Sequence, residues 1–165
     1  MILEPQLLRD ERGAFARTFC KDELARAGIE FDIVQCNLSI NARRGTLRGM
    51  HFQRDPKAEA KIVSCTRGKV WDVIVDLRKG SPTYCRWHGV ELSDSNRRAL
   101  YVPKGFAHGF VTLQDASEMS YLMSEFFSAD HSAGVRWNDP VLAIDWPIAP
   151  TCLSPKDQSY PDFHP

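Results

Sequence analysis

The run Lys69-Val70-Trp71-Asp72-Val73-Ile74-Val75-Asp76-Leu77 constrains the fold more than any other part of the chain. Trp71, Val73, Val75 and Leu77 point one way, and Val70, Asp72, Ile74 and Asp76 the other. A period of two carried by β-branched and aromatic residues is that of a strand. Lys61–Cys65, Val90–Leu92, Arg98–Val102, Gly109–Leu113 and Ser117–Phe126 continue the series, punctuated by Gly, Pro, Asn and Asp about every ten residues. Arg67-Gly68 suits the turn between Lys61–Cys65 and the run at Lys69. One helix is predicted, Lys21 to Ala27, ended by Gly28, and it has too few apolar positions to build a core alone. The reading is an all-β chain: a jelly-roll barrel with a short N-terminal helix and an irregular C-terminal segment from Pro147 to Pro165. It is expected to form a single domain spanning residues 1–165.

Composition narrows the function. Lys+Arg and Asp+Glu both number 21, so there is no general drive toward nucleic acid or a membrane surface, although a local cationic pocket stays open. No run of 18 apolar residues occurs, so no transmembrane helix is expected. Met-Ile-Leu-Glu-Pro-Gln has no basic region before an apolar stretch, so a secretory signal is not expected. Five cysteines, an odd number without a CxxC pair, read most simply as reduced thiols in a cytoplasmic protein.

The chemistry concentrates in Gly45-Thr46-Leu47-Arg48-Gly49-Met50-His51-Phe52-Gln53. An arginine and a histidine inside an apolar, strand-like stretch are costly to bury unless paired or used. A histidine there is a candidate general base, because its ordinary pKa lies near working pH. Its alternative is a hydrogen-bonded core histidine. In a regular strand Arg48 and His51 face opposite sides, so both reach one pocket only if Gly49 marks a bulge or bend. Lys61 and Tyr121 lie on other predicted strands, His108 sits in a glycine-flanked apolar run, and Asp72 is a carboxylate that could orient a histidine. The alternatives are a snorkelling surface lysine, a half-buried core tyrosine and, for Asp72 and Asp76, a solvated outer face.

A barrel metal site usually needs an HxH pair with a further carboxylate and histidine. Here the sequence is His51-Phe52-Gln53, and His88, His131 and His164 fall in loop-like contexts. Neither a metal nor another cofactor is expected. A nucleophilic cysteine is not expected either, since none sits at a helix start beside a base.

Several blocks together resemble the dTDP-4-dehydrorhamnose 3,5-epimerases of the cupin superfamily. They are Asp10 to Phe15, Gln35-Cys36-Asn37, Gly45 to Gln53, Lys61 through Leu77, and Tyr101 to Phe110. Later come Tyr121, Gly134 to Pro140 and Leu153 to Asp157, so the likeness covers nearly the whole chain. The resemblance implies a metal-free isomerase acting on a nucleotide-diphosphate 4-keto-6-deoxy sugar. It places the base at His51 with Asp157 as its partner, the acid at Tyr121 and an enolate-stabilising lysine at Lys61. Arg12, Phe15, Gln35, Asn37, Arg48, His108 and Lys156 fall on substrate-contacting positions, some supplied across the interface of a strand-exchanged homodimer. Two positions depart from the family pattern, both in the substrate region. Arg17 stands where a glutamate is common, and Phe127 where a second tyrosine is common. These changes leave open whether C3, C5 or both are inverted. Two other readings compete: a sugar-nucleotide 3,4-ketoisomerase, and a non-catalytic sugar-nucleotide-binding barrel. The second need not keep the full His51, Asp157 and Tyr121 set.

Overall fold

The alternating run becomes β7 (Lys69–Asp76), an inner strand of a five-stranded sheet in a computed structural model that describes all 165 residues. This second sheet has the order β12 (Ser132–Gly134), β5 (Leu47–Gln53), β10 (Phe106–Thr112), β7 and β8 (Trp87–Ser93). The first sheet has the order β1 (Ile2–Leu3), β9 (Ala99–Val102), β6 (Lys61–Arg67), β11 (Ser117–Met123) and β4 (Gln35–Asn41). Every neighbouring pair within the two sheets is antiparallel. This is the expected jelly roll, of the cupin type.

The two sheets close on one apolar core. Val63, Cys65, Leu100, Val102 and Met119 come from the first sheet; Val70, Ile74, Val90, Leu92 and Phe110 from the second. Fully burying a side chain such as Phe110 contributes about 1.5–3 kcal/mol. The opposite face of β7 is covered as well. Val73 and Val75 pack with Met50 and Ala107 against Val135, Leu142 and Ile144 of the C-terminal segment. Asp139 pins that segment, accepting from the amides of Val141, Leu142 and Phe163.

Burial on both faces overturns the solvated-face alternative for Asp72 and Asp76, which are fully buried. Asp76 accepts from Arg78, Ser81 and Thr83. Against a large burial penalty, these donors hold its carboxyl well below the usual range. The turn at Arg67-Gly68 also differs from a hairpin. β6 pairs with β9 and β11, whereas β7 pairs with β8 and β10. The short link carries the chain from one sheet to the other, and its sequence is compatible with either outcome because strand partners are chosen by long-range pairing.

The N-terminal helix, α1 (Lys21–Arg26), stops one residue before the predicted end. Its Leu24 packs with Ile29 and Phe31 on the outer face of the first sheet, at Ala60, Ile62 and Ala99. Sequence patterning did not mark β4, an edge strand whose Gln, Asn and Ser content has low strand propensity. Nor did it mark the small hairpin of β2 (Leu8–Asp10) and β3 (Gly13–Phe15). The C-terminal segment is irregular as predicted, except for one turn of helix, α2 (Pro155–Gln158).

Candidate active site

A bulge builds the first part of the site. His108 of β10 pairs with His51 of β5, and Phe110 pairs with Arg48. Gly49 and Met50 therefore stand opposite Gly109 alone, the two-against-one count of a β-bulge. The two backbones touch closely here: a Cβ on Gly49 would lie 2.5 Å from the Cα of Gly109. Met50 turns into the outer core, while Arg48 and His51 both line one cavity of about 740 Å³. The parity conflict in the sequence is thus resolved at Gly49.

Both sheets contribute to that cavity. Gln35, Asn37, Lys61 and Tyr121 enter from the first, and Arg48, His51 and His108 from the second. Lys156 and Asp157 arrive on α2. Ser154 caps that helix, its hydroxyl accepting from the Asp157 amide, and Pro155 occupies the first turn, where a missing N–H costs nothing. This local capping fixes where Asp157 points.

His51 is hydrogen-bonded through Nε2 to Asp157 Oδ1 at 2.6 Å, and the Gly49 amide donates to Oδ2 at 3.4 Å. Burial works to raise the Asp157 carboxyl, but these donors win and hold it below its ordinary value. A buried carboxylate on one ring nitrogen orients the imidazole and favours a proton on that nitrogen, leaving Nδ1 as the basic one. Behind the ring, Tyr160 packs edge-on with centroids 6.2 Å apart. Its ring occupies the space of a missing side chain at Gly134, the β12 partner of His51: a Cβ there would lie 2.3 Å from Tyr160 Cζ.

The second histidine has its own carboxylate. His108 Nε2 lies 3.0 and 2.9 Å from the two oxygens of Asp72, and the pair is buried. Asp72 therefore orients His108 rather than His51. Burial raises the Asp72 carboxyl, opposed by the His108 charge. The Tyr121 ring meets His108 edge-on at 6.1 Å. Burial pushes the Tyr121 phenol well above its ordinary value, and the Asp72 charge adds to the effect, so it stays protonated at neutral pH. Tyr121 also packs against the inter-sheet core, so the core-tyrosine alternative and a place in the cavity are both met.

Lys61 is no snorkelling lysine. Its side chain is 8% exposed, and Nζ pairs with Glu59 at 3.0 Å and donates to the His51 carbonyl at 3.3 Å. Glu59 was not singled out from sequence, although the Glu-Ala-Lys run, with its i, i+2 spacing in an extended segment, is the signal that could have found it. Arg48 and Lys156 are cations with no carboxylate partner. Arg48 donates to Asn41 Oδ1 and the Ile40 carbonyl, and Lys156 to Ser132 Oγ. This is the local cationic pocket that a zero net charge left open. Gln35 donates to Asn37 and accepts from the Phe127 amide, and the exposed Phe127 ring stands at the cavity. No group of three His, Cys, Asp or Glu side chains is arranged to hold a metal ion.

Three of the predicted substrate contacts lie elsewhere. Arg12 is exposed on the β2–β3 hairpin, paired with Asp10. Phe15 is exposed at the hairpin end, and Arg17 pairs with Glu23 of α1. None lines the cavity that holds His51.

Comparison with known proteins places the chain in a family. The family model described as dTDP-4-dehydrorhamnose 3,5-epimerase matches residues 1–165. The dTDP-4-dehydrorhamnose 3,5-epimerase of Sinorhizobium fredii is 44% identical over 163 residues, covering 98% of this chain and 84% of the relative. The dTDP-4-dehydrorhamnose 3-epimerase of Streptomyces niveus is also 44% identical, over 157 residues, covering 94% of this chain and 75% of the relative. A crystal structure of the Bacillus anthracis 3,5-epimerase with TDP and PPi bound superposes with a TM-score of 0.95 at 48% identity, covering 98% of this chain and 93% of that one. The chain belongs to the dTDP-4-dehydrorhamnose 3,5-epimerase family, isomerases built on the cupin-type jelly roll.

Proposed function

We propose that this protein epimerises a nucleotide-diphosphate 4-keto-6-deoxy sugar at C3, C5 or both, with His51 as base, Tyr121 as acid and an enolate between them. One observation carries the reading: a carboxylate-held imidazole, a protonated phenol and a buried ammonium line the same cavity. The C4 ketone acidifies the hydrogens on its neighbouring carbons. His51, held by Asp157, takes one of them. Charge then grows on the C4 oxygen, where the Lys61 ammonium stabilises it. Because β5 and β11 belong to opposite sheets, a sugar ring lying between them meets the base on one face and the acid on the other. A proton returned by Tyr121 inverts the carbon. Arg48 and Lys156 suit the diphosphate, because their charges are free of carboxylates and guanidinium binds phosphate oxygens bidentately. Gln35, Asn37 and His108 complete the substrate contacts. The TDP and PPi held by the Bacillus anthracis relative support the nucleotide part of this reading.

One chain leaves Arg12, Phe15 and Arg17 outside the cavity. The β2–β3 hairpin presents exposed Leu8 and Phe15, and edge strand β4 presents exposed Leu38 and Ile40. These surfaces support a homodimer in which the N-terminal hairpin of one copy completes the site of the other. Mixing and reassembling inactive Arg12→Ala and His51→Ala subunits is expected to recover about a quarter of parental activity at low substrate, since half the dimers then carry one intact site of two. No recovery on mixing contradicts the exchange.

Similarity does not separate one inversion from two, because the Sinorhizobium fredii and Streptomyces niveus relatives are equally identical to this chain. Phe127 favours unequal rates. It offers no phenol to hold the ring while the second carbon is presented to the same base and acid. Incubation with dTDP-4-keto-6-deoxyglucose in excess chelator, followed by NMR, tests the reading. An inverted product, formed without added metal, is expected. An unchanged substrate, activity only on readdition of a divalent ion, or a migrated keto group each overturns it.

A further inference from the structure

The Lys61–Glu59 pair is an expensive arrangement. Both side chains are more than nine-tenths buried, at 8% and 5% exposure. Glu59 Oε1 lies 3.0 Å from the ammonium, while Oε2 is buried with no hydrogen-bond partner. A buried ion pair rarely stabilises a fold more than well-packed apolar residues of similar volume, and an unsatisfied buried oxygen adds a further cost. Stability alone therefore gives no reason to keep the pair. Its geometry does. Glu59 lies two residues before the first residue of β6, Lys61, and their ion pair brings the two side chains together on one side. The ammonium has three donors. One goes to the carbonyl of His51, the proposed base, while Glu59 Oε1 sits against the ammonium as an ion pair at 3.0 Å. Donor capacity remains for a ligand in the cavity.

We infer that Glu59 is a positioning residue for catalysis: its side-chain oxygen fixes the Lys61 ammonium beside His51, so that the free N–H meets the C4 oxygen of the substrate as charge develops there. The inference rests on the epimerase reading and goes beyond it, since it assigns a role to a residue that does not itself touch the reacting atoms. What matters is an acceptor at the right length. Glu59→Gln keeps both the length and the oxygen. Glu59→Asp keeps the charge but draws the ammonium back by one methylene. Glu59→Met keeps the bulk and removes the acceptor.

Turnover and solvent-deuterium exchange of dTDP-4-keto-6-deoxyglucose are measured for the parent and the three variants, each also in a Lys61→Met background, with thermal melting alongside. Glu59→Gln is expected within a few-fold of the parent. Glu59→Met is expected to lose about 10²-fold in kcat, the scale set by roughly an ångström of misplacement, with KM little changed. Glu59→Asp falls between them. In the Lys61→Met background all three substitutions lose their effect, which a merely structural role would not produce. If Glu59→Met leaves Lys61 uncompensated and fails to fold, Glu59→Asp decides, because it keeps the pair charged. The inference is overturned if Glu59→Asp and Glu59→Met both keep parental kcat, if Glu59→Gln loses as much as Glu59→Met, or if the losses are the same with and without Lys61. An inactive parent would instead refute the epimerase reading, so the two failures are distinguishable.

Discussion

His51→Ala is expected to lower solvent exchange into the substrate by about 10²–10⁴-fold while leaving dTDP binding largely intact. The size of the effect comes from the chemistry. Without an imidazole, only water can take a carbon-bound hydrogen, and Asp157 has no ring left to orient. Binding survives because the diphosphate contacts assigned to Arg48 and Lys156 lie on other residues. The site left behind is not a collapsed one: His51 is partly exposed to the cavity, and β5 is held on both sides by β10 and β12. Exchange measured by mass spectrometry and dTDP affinity measured by calorimetry check the two halves. Exchange within a few-fold of the parent would remove His51 from the role of base.

Tyr121→Phe separates the two proton transfers. Inversion is expected to fall by about 10²-fold or more, because no donor remains on the far face of the ring. Exchange with retention is expected to continue, since His51 can trade the proton it took for one from solvent and redeliver that one to the same face. The phenol can fill this role because it carries its hydrogen at neutral pH, and burial with the Asp72 charge moves its titration further upward. The ring face it vacates is unchanged in shape, so the enolate still forms. NMR of the product and mass spectrometry of the recovered substrate distinguish the outcomes. Inversion at the parental rate would mean that water or another group is the donor.

The barrel was legible because period-two alternation is a local signal that survives into the structure, as β7 shows. The assignment of strands to sheets was not. The same Arg67-Gly68 turn serves a hairpin or a crossing between sheets, and only partners such as Val90 and Met119, far along the chain, decide which. Edge strand β4 escaped because polar residues that face a cavity weaken the pattern that marks a strand. The bulge at Gly49 was legible as a conflict: two functional side chains three residues apart cannot share a face of a regular strand. The Asp157 carboxylate was not legible from spacing, since 106 residues separate it from His51 and one capped turn delivers it. Family resemblance alone pointed to it. Asp72 read correctly as a carboxylate for a histidine, but its partner His108 is chosen by packing of β10 on β7. Arg12, Phe15 and Arg17 show the limit of one chain, because their proposed place requires a second copy.

Heavy-water turnover of dTDP-4-keto-6-deoxyglucose by the parent tests the proposed chemistry most directly. Each inverted carbon is expected to carry one solvent deuteron, located by NMR at C3 or C5, with one centre labelled faster than the other because Phe127 supplies no second phenol. An inverted product carrying no solvent deuterium would contradict base-and-acid proton transfer through an enolate.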